Sequence, residues 1–515
     1  MTPPPAAPPS ALAALDPKDV QRIIIGLMAV LLLAALDQTI VSTALPTIGR
    51  ELGDVQHLPW MVTAYLLSST VVTPLYGKLA DIIGRRTTLL MAIGIFLVGS
   101  LLCSLSPNMY VLIAARAVQG LGGGGLMSLV QTVISDIVTP RERGRIQGIF
   151  AAVFTSSSLG GPILGGILSE HLGWQSIFWV NLPVGAVALW IVSRGLMKLP
   201  RYERPHRIDW LGAALMAAAA IILMLAINTR GAVLLGVPVW AVYIVSMVFW
   251  VLFGLRLRTA AEPLIPTGIL RDGVIVRAIL VSTLSMGSLM SVGAYNPLYV
   301  QLIYHMSATQ AGMVMTPLAL GVVGGSILSG QMMARGKGKG YKLLPMIGLF
   351  VGMVIYAGMA MIGDRLNIWA YIGGLFFANA AVGSTFPVAT VVVQNAVERH
   401  EMGTATGVMN FFRSLGGALL VAVFGAILFG ELYALLGGSF NEAQSASILS
   451  ADTLSHVSDP ARIYKPIFIG AAVLMGLAFL ALWSMREPPL RSRDVPVAKA
   501  AEEATGETLS DADFS

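Results

Sequence analysis

The sequence predicts an all-α polytopic membrane protein, and three observations carry that prediction. The 515 residues are 56% hydrophobic and only 12% charged, with a mean hydropathy of +0.76, whereas soluble domains carry about 25% charged residues. The apolar runs have the length of a membrane-crossing helix, roughly 20 residues, and lack the ten-residue alternation of a barrel. Lys and Arg gather in alternate connections between those runs. A soluble enzyme of ordinary composition is excluded.

Reading between charges, spans fall at 23–45, 60–79, 87–105, 110–134, 146–168, 174–193, 210–228, 238–255, 278–300, 309–333, 344–362, 368–393, 404–428 and 466–485, fourteen in all. The stretch from Ala278 to Ala334 holds 57 residues without a formal charge, enough for two crossings joined by a turn around His305. With both termini on the cytoplasmic side, 26 of the 33 Lys and Arg fall in inner connections and five in outer ones. The remaining two, Arg116 and Arg413, lie inside spans. One helix too many or too few would invert every later connection and erase that contrast, so charge supports the count independently of hydropathy.

Residues 1–21, opening on a Pro-rich run, cannot pack a core and are expected to form a disordered cytoplasmic tail. They lack the basic start of a cleavable signal peptide. A second cytoplasmic tail is expected over 486–515. The one sizeable outer loop, 430–465, has enough apolar content for a small hairpin or short helix at the membrane surface. No Asn-x-Ser/Thr occurs, which is compatible with a bacterial origin, and the expected location is a bacterial inner membrane. Cys103 is the single Cys and excludes a disulfide framework or a Cys-based metal site.

Between Arg22 and Arg50 the only charged residue is Asp37, about two thirds of the way across the first span. An ionised side chain there costs at least ~2.5–3.5 kcal/mol, so it is neutral, paired, or facing a water-filled cavity. Asp37 lies nine residues before Pro46 at the outer end of span one, and Arg116 seven after Met109 at the outer end of span four. At the helical rise these are depths of roughly 14 and 11 Å, so the two can meet. Low dielectric favours the protonated carboxyl and a neighbouring guanidinium favours the carboxylate, so separating the pair would switch Asp37 between holding and releasing a proton. The competing reading is a permanent buried ion pair that fixes the bundle. Arg413 has no acid at matching depth in its half. A contact with an anionic substrate group, with a backbone carbonyl, or with neighbours such as Asn410 would each accommodate it.

Gly120, Gly122 and Gly125 satisfy G-x-G-x-x-G, but the run follows an intramembrane Arg rather than a strand, so close helix packing explains it better than a dinucleotide site. The same reading applies to Gly160, Gly161, Gly165 and Gly166, with Pro162 expected to bend its helix. The six His fall in loops or at span ends with no metal-ligand spacing, and neither H-E-x-x-H nor G-x-S-x-G is present. Enzymatic activity, a metal, an organic cofactor and a nucleic-acid partner are therefore not expected. The basic loop 335–342 reads as a positive-inside signal more readily than as a site for anionic lipid heads.

Gly77-Lys-Leu-Ala-Asp81-Ile-Ile-Gly84-Arg85-Arg86, between spans two and three, resembles the loop signature of the major facilitator superfamily. Leu36-Asp37-Gln-Thr-Ile-Val-Ser-Thr-Ala-Leu-Pro46 resembles the first-helix motif of its drug:proton antiporters. Leu112-x-x-x-Arg116-x-x-Gln119-Gly120 is similar to their fourth-helix motif, and Ser157-x-x-x-Gly161-Pro162-x-x-Gly165-Gly166 to the fifth-helix antiporter motif. With fourteen spans, the stretch Trp174 to Gly185 and the start of span thirteen at Gly403 to Gly407, the likeness is to the fourteen-helix subfamily and covers nearly the whole chain.

That resemblance implies the major facilitator fold: a six-helix bundle over 22–194, two inserted central helices over 195–258, and a second six-helix bundle over 259–485, rocking about a central cavity. A weak echo of the loop signature, Gly330 at the place of Gly77, supports duplication, with Ala334 replacing Asp81. The resemblance also implies roles. Asp37 carries the coupling proton with Arg116 as its regulator. Gly77, Asp81, Gly84, Arg85 and Arg86 with Asp136 form a conformational latch, and Gly161, Pro162, Gly165 and Gly166 seal helix packing. Gln38, Gln119, Asn181, Asn296, Asn410 and Arg413 are the candidates for the substrate cavity. Ser42 and Ser157 depart from the family's usual Asn and Gly. Some members carry further acids in helices ten and thirteen, absent here, which implies few protons per cycle and a poor fit to strongly dicationic drugs; neutral, amphipathic, monocationic or anionic substrates are expected instead, with Arg413 favouring the last.

The function so implied is export of amphipathic small molecules by an antiporter driven by the proton-motive force, as a monomer in the lipid bilayer. The alternatives are a dedicated exporter of an endogenous lipid, peptide, siderophore or metabolite, and, in another class, a non-transporting sensor or scaffold.

Overall fold

The structure, a computed structural model, describes residues 16–52, 57–198, 208–228, 233–234, 237–335, 340–398, 401–435, 460–487 and 489. Its helices are α1 Pro17–Leu52, α2 Leu58–Ile83, α3 Arg85–Ser104, α4 Met109–Ile137, α5 Pro140–His171, α6 Ser176–Trp179, α7 Asn181–Gly195, α8 Trp210–Asn228, α9 Val239–Thr259, α10 Thr267–Arg271, α11 Gly273–Ile303, α12 Ala308–Arg335, α13 Leu343–Ile362, α14 Ile368–Ala396, α15 Met402–Leu435 and α16 Pro460–Ser484. Thirteen stretches among the described residues, one of them running through α6 and α7, are long and apolar enough to cross a membrane. The 26-residue α2, which corresponds to the second of the fourteen expected spans, is a long helix outside that set.

The helices overrun the hydropathic spans because the backbone continues into the polar boundary layer, where side chains cap it. Asp16 accepts from the amide of Lys18 at 3.0 Å and Pro17 begins α1, so the helix starts inside the stretch expected to be disordered; the remainder of that tail, 1–15, lies outside the described residues. Pro in the first turn lacks only an N–H that would have been unsatisfied there. Asn108 and Asn367 cap α4 and α14. Thr139 and Glu142 form a reciprocal capping box at α5. The centre of the outer loop, 436–459, and residues 490–515 lie outside the described residues. The connection from α8 to α9 contains one feature hydropathy did not foresee, an antiparallel pairing of Val233 with Pro238 and Leu234 with Val237.

The same packing scheme occurs twice. In the first half α1 packs on α5 and α7, α2 on α4, and α3 on α4; in the second, α11 packs on α15 and α16, α12 on α14, and α13 on α14. The buried apolar clusters divide along the same line, two within α1–α7 and one within α8–α16 that takes in Leu67 of α2. The halves meet along two seams, α2 with α15 and α5 with α12.

Both seams are built alike. A methyl on Gly77 would collide with the carbonyl of Gly403, and one on Gly330 with the carbonyl of Gly144. Each partner helix opens with glycines four apart, Gly403 and Gly407 on α15, Gly144 and Gly148 on α5, and the second glycine of each pair also faces backbone across the seam. Glycine permits this backbone approach where apolar burial supplies no drive between helices. The inserted helices α8 and α9 pack on each other, and α8 lies against α2 and α15. Asp209 caps α8 through the amide of Gly212 at 3.0 Å and pairs with Arg256 of α9 at 3.0 Å.

Candidate functional site

Asp37 is 1% exposed and Arg116 likewise, and they pair at 2.8 Å. The carboxylate is held by donors from two other helices, α4 and α7. Arg116 Nη1 donates to its Oδ2 at 2.8 Å; Gln119 Nε2 and Asn181 Nδ2 donate to its Oδ1 at 2.7 and 2.8 Å. Ser100 Oγ on α3 accepts from the same two amides at 2.8 and 3.2 Å. Arg116 Nη1 also donates to Gln119 Oε1 at 2.6 Å, and Cys103 Sγ lies 3.6 Å from that oxygen. The guanidinium stacks on Tyr65, 4.3 Å from the ring centroid. A buried charge is tolerated when it is paired and its other lone pairs are bonded, and both conditions hold for Asp37.

Glycine makes the cluster possible. A Cβ on Gly99 of α3 would lie 2.5 Å from the amide nitrogen of Gln119, which puts Ser100 within reach of that side chain. Gly120 and Gly124 accept the backbone of α2, Gly122 that of α3, and Gly123 the Tyr65 ring. The tract is helix packing, as its setting after Arg116 indicated.

Below the cluster, toward the end of the molecule where α2 finishes and α15 begins (the basic end), stands a second constellation. Arg85 pairs with Asp81 and with Asp136, the latter at 2.9 Å. Asp81 also reaches across the seam: its Oδ1 accepts from the Gly403 amide at 3.1 Å, and its Oδ2 from the Thr404 amide at 2.8 Å and hydroxyl at 2.6 Å. An acid at the first turn of a helix meets free amides and the positive end of the dipole. Gly84 turns the chain between α2 and α3 at φ 91° and ψ 151°, a region essentially closed to other residues. Gly84→Ala should therefore destabilise the protein by about 1–3 kcal/mol, read as a lowered unfolding midpoint in detergent. Arg86 stands apart from the charge cluster and donates instead to the Ser193 carbonyl of α7 at 3.2 Å.

The fifth-helix motif faces α1. Methyl groups on Gly161 and Gly165 would meet Thr39 and Thr43, and Thr39 Oγ1 donates to the Ser157 carbonyl at 2.9 Å. Pro162 lies within α5 between them. Gly166, grouped by sequence with the packing glycines, has open space where a Cβ would stand, as does Gly160. At the helical repeat they lie on a different face from Gly161 and Gly165.

The six cavity candidates separate. Gln119 and Asn181 belong to the Asp37 cluster and are 0% and 1% exposed, so they bond the acid rather than line an open cavity. Asn296 is buried and accepts from the Tyr371 hydroxyl. Asn410 Nδ2 bonds Gln131 Oε1 across the seam at 3.0 Å, and Arg413 donates to Asn410 Oδ1 at 2.5 Å. Gln38 is exposed. Reading from sequence missed Ser100, Tyr65 and Gln131. Each is a neutral polar residue inside an apolar run, and such residues commonly bond their own helix, so nothing local singles them out.

Residues 27–421 match the family profile described as Major Facilitator Superfamily. The chain is similar to "Multidrug resistance protein 3" of Bacillus subtilis (strain 168), 31% identical over 445 residues and 86% of each chain. It is also similar to "Multidrug transporter protein MdtP" of the same organism, 31% identical over 422 residues, 79% of this chain and 75% of the other. Among solved structures it is similar to the human organic anion transporter MFSD10 (TETRAN), with a TM-score of 0.63, 17% identity, and coverage of 91% of this chain and 100% of that one. At that identity the likeness is one of fold.

Proposed function

This chain belongs to the major facilitator superfamily, and from that premise we propose that it is a proton-coupled exporter of amphipathic small molecules in a bacterial inner membrane, working by alternating access. The observation that carries the reading is the buried Asp37 carboxylate bonded to Arg116, Gln119 and Asn181. Adding a proton to Asp37 removes the negative charge that holds Arg116 and turns charge-assisted hydrogen bonds into weaker neutral ones. Protonation and loosening of α1 against α4 and α7 thus become one event.

Two helices can relay that event to the basic end. The helix of Arg116 also carries Asp136, twenty residues on, or about 30 Å along the axis. Asp136 holds Arg85 and, through it, the Asp81 latch on α15. In parallel, α1 grips α5 through Thr39 beside Asp37, and α5 forms the second seam through Gly144 and Gly148. The described hydrogen bonds between the halves run from Asp81 with Thr404 up to Met127 with Arg413. This supports a state closed at the basic, cytoplasmic end. The seam of α12 has Ala334 where α2 has Asp81, so one seam is latched by charge and the other by packing.

The test is transport by purified protein in proteoliposomes with an imposed pH gradient and a panel of amphipathic dyes. The expected result is dye movement opposite to the proton gradient, lost on adding a protonophore. Movement indifferent to the gradient, or none for any dye while proton release on dye addition is also absent, overturns the reading.

A further inference from the structure

Of the two arginines within the spans, only one is neutralised. Arg116 has Asp37; Arg413 has no carboxylate within ion-pair distance among the described residues. Its described partners are Asn410 Oδ1 at 2.5 Å, the Met127 sulfur at 3.9 Å and the face of Phe386, 5.6 Å from guanidinium carbon to ring centroid. One neutral hydrogen bond and one ring leave most of a five-donor fork without strong acceptors, in a place where an unpaired cation is costly. Arg413 is half-buried rather than sealed. It stands on α15 opposite α4, where its bond to Met127 joins the two halves.

We propose that Arg413 is the binding point for an anionic group, a carboxylate or sulfonate, on an amphipathic substrate whose apolar body lies against Met127 and Phe386. The inference rests on the transport reading above and names the substrate class for it. A planar guanidinium presents paired N–H donors that match two oxygens of one acid group, and Met and Phe walls adapt to varied apolar bodies. The arginine is itself oriented. Asn410, which accepts from it, is fixed by Gln131 Oε1 at 3.0 Å, and Gln394 donates to the Gln131 carbonyl at 3.4 Å. This polar chain joins α4, α14 and α15, so an anion on Arg413 would touch elements from both halves.

The site is distinct from the proton site. Met127 lies eleven residues beyond Arg116 on α4, about 16 Å along the helix. Proton and anion would therefore occupy separate places and communicate through the rocking of the halves rather than by displacing one another.

Binding without any gradient tests this. Wild-type protein and its variants, in nanodiscs of uncharged lipid, are titrated with 1-pyrenebutyric acid, 1-naphthaleneacetic acid and the methyl ester of each, with empty discs subtracted. Wild type should bind each acid at least ~10-fold tighter than its ester, the scale of one charge-assisted hydrogen bond. Arg413→Gln should bring that ratio to about one while leaving ester affinity in place, and Arg413→Lys should retain most of it. Should Arg413→Gln fail to fold, Arg413→Met supplies the uncharged variant. Acids binding no tighter than esters in wild type, or an acid preference that survives loss of the charge, overturns the proposal. Because no proton gradient is used, acid preference with gradient-indifferent transport would sink proton coupling and leave this site standing; the reverse pattern would sink only the site.

Discussion

Asp37→Asn is expected to abolish gradient-driven accumulation in proteoliposomes. One proton crossing 100 mV releases ~2.3 kcal/mol, a factor of about fifty in substrate ratio, and that factor should fall to one. The single substitution also leaves Arg116 without a counter-charge at 1% exposure, and breaking a buried pair on one side costs about 3–5 kcal/mol. A loss of activity could then reflect unfolding. The double variant Asp37→Asn with Arg116→Gln removes both charges and with them that penalty. If the pair carries the proton, the double variant elutes as a folded monodisperse species, lets substrate equilibrate, and shows no response to an imposed pH gradient. If the pair only fixes the bundle, the double variant is stable and still accumulates substrate against the gradient. The second outcome removes Asp37 from the mechanism.

The other large effect is expected at Gly77→Val. The atoms a side chain would strike there are backbone, the carbonyl of Gly403 and the Cα of Thr404, so no rotamer change relieves the clash. Helices α2 and α15 must separate, and separation takes Asp81 away from the amides of Gly403 and Thr404. The state with a closed basic end is then disfavoured, and transport should drop by more than about tenfold, the effect of 1.4 kcal/mol on a two-state balance. In a Cys103→Ala background, a cysteine placed at Thr73 on the seam should react faster with a thiol reagent added from the basic side when Gly77→Val is present. Gly94→Val on α3 is the control, since nothing lies within 4 Å of its would-be Cβ. Equal labelling rates with and without Gly77→Val would show that the seam is no barrier.

Much of the fold is legible in the order of residues because partition between oil and water is close to additive. Runs such as Ala278 to Ala334 declare two crossings by length, and the segregation of Lys and Arg fixes their alternation without knowledge of any contact. Part of the site is legible for the same reason. Asp37 and Arg116 stand out as charges in apolar surroundings, and their matched depths bring them together at 2.8 Å. Asp81 and Arg85 stand out through the loop signature and Asp136 through the family resemblance, and they meet.

What the sequence leaves open is whatever carries no imbalance of its own. Asn181 and Gln119 read as candidates for an open cavity, yet they face Asp37, because the orientation of a helix about its axis is set by its neighbours. Ser100 resembles any helix serine until Gly99 lets α3 close on α4. The partners of Asp81 on α15 are backbone amides, which every residue but proline possesses and composition cannot flag. Gly161 and Gly166 look equivalent in the chain, but only the first faces α1. The chain by itself therefore determined where its long apolar helices lie and which charges within them must be accounted for, since those follow from the solvation of each residue alone. Only the tertiary structure decided which neutral groups hold the buried acid, which glycines close the two seams, and that Arg413 meets no carboxylate among the described residues, since those depend on how closely helices distant in sequence approach.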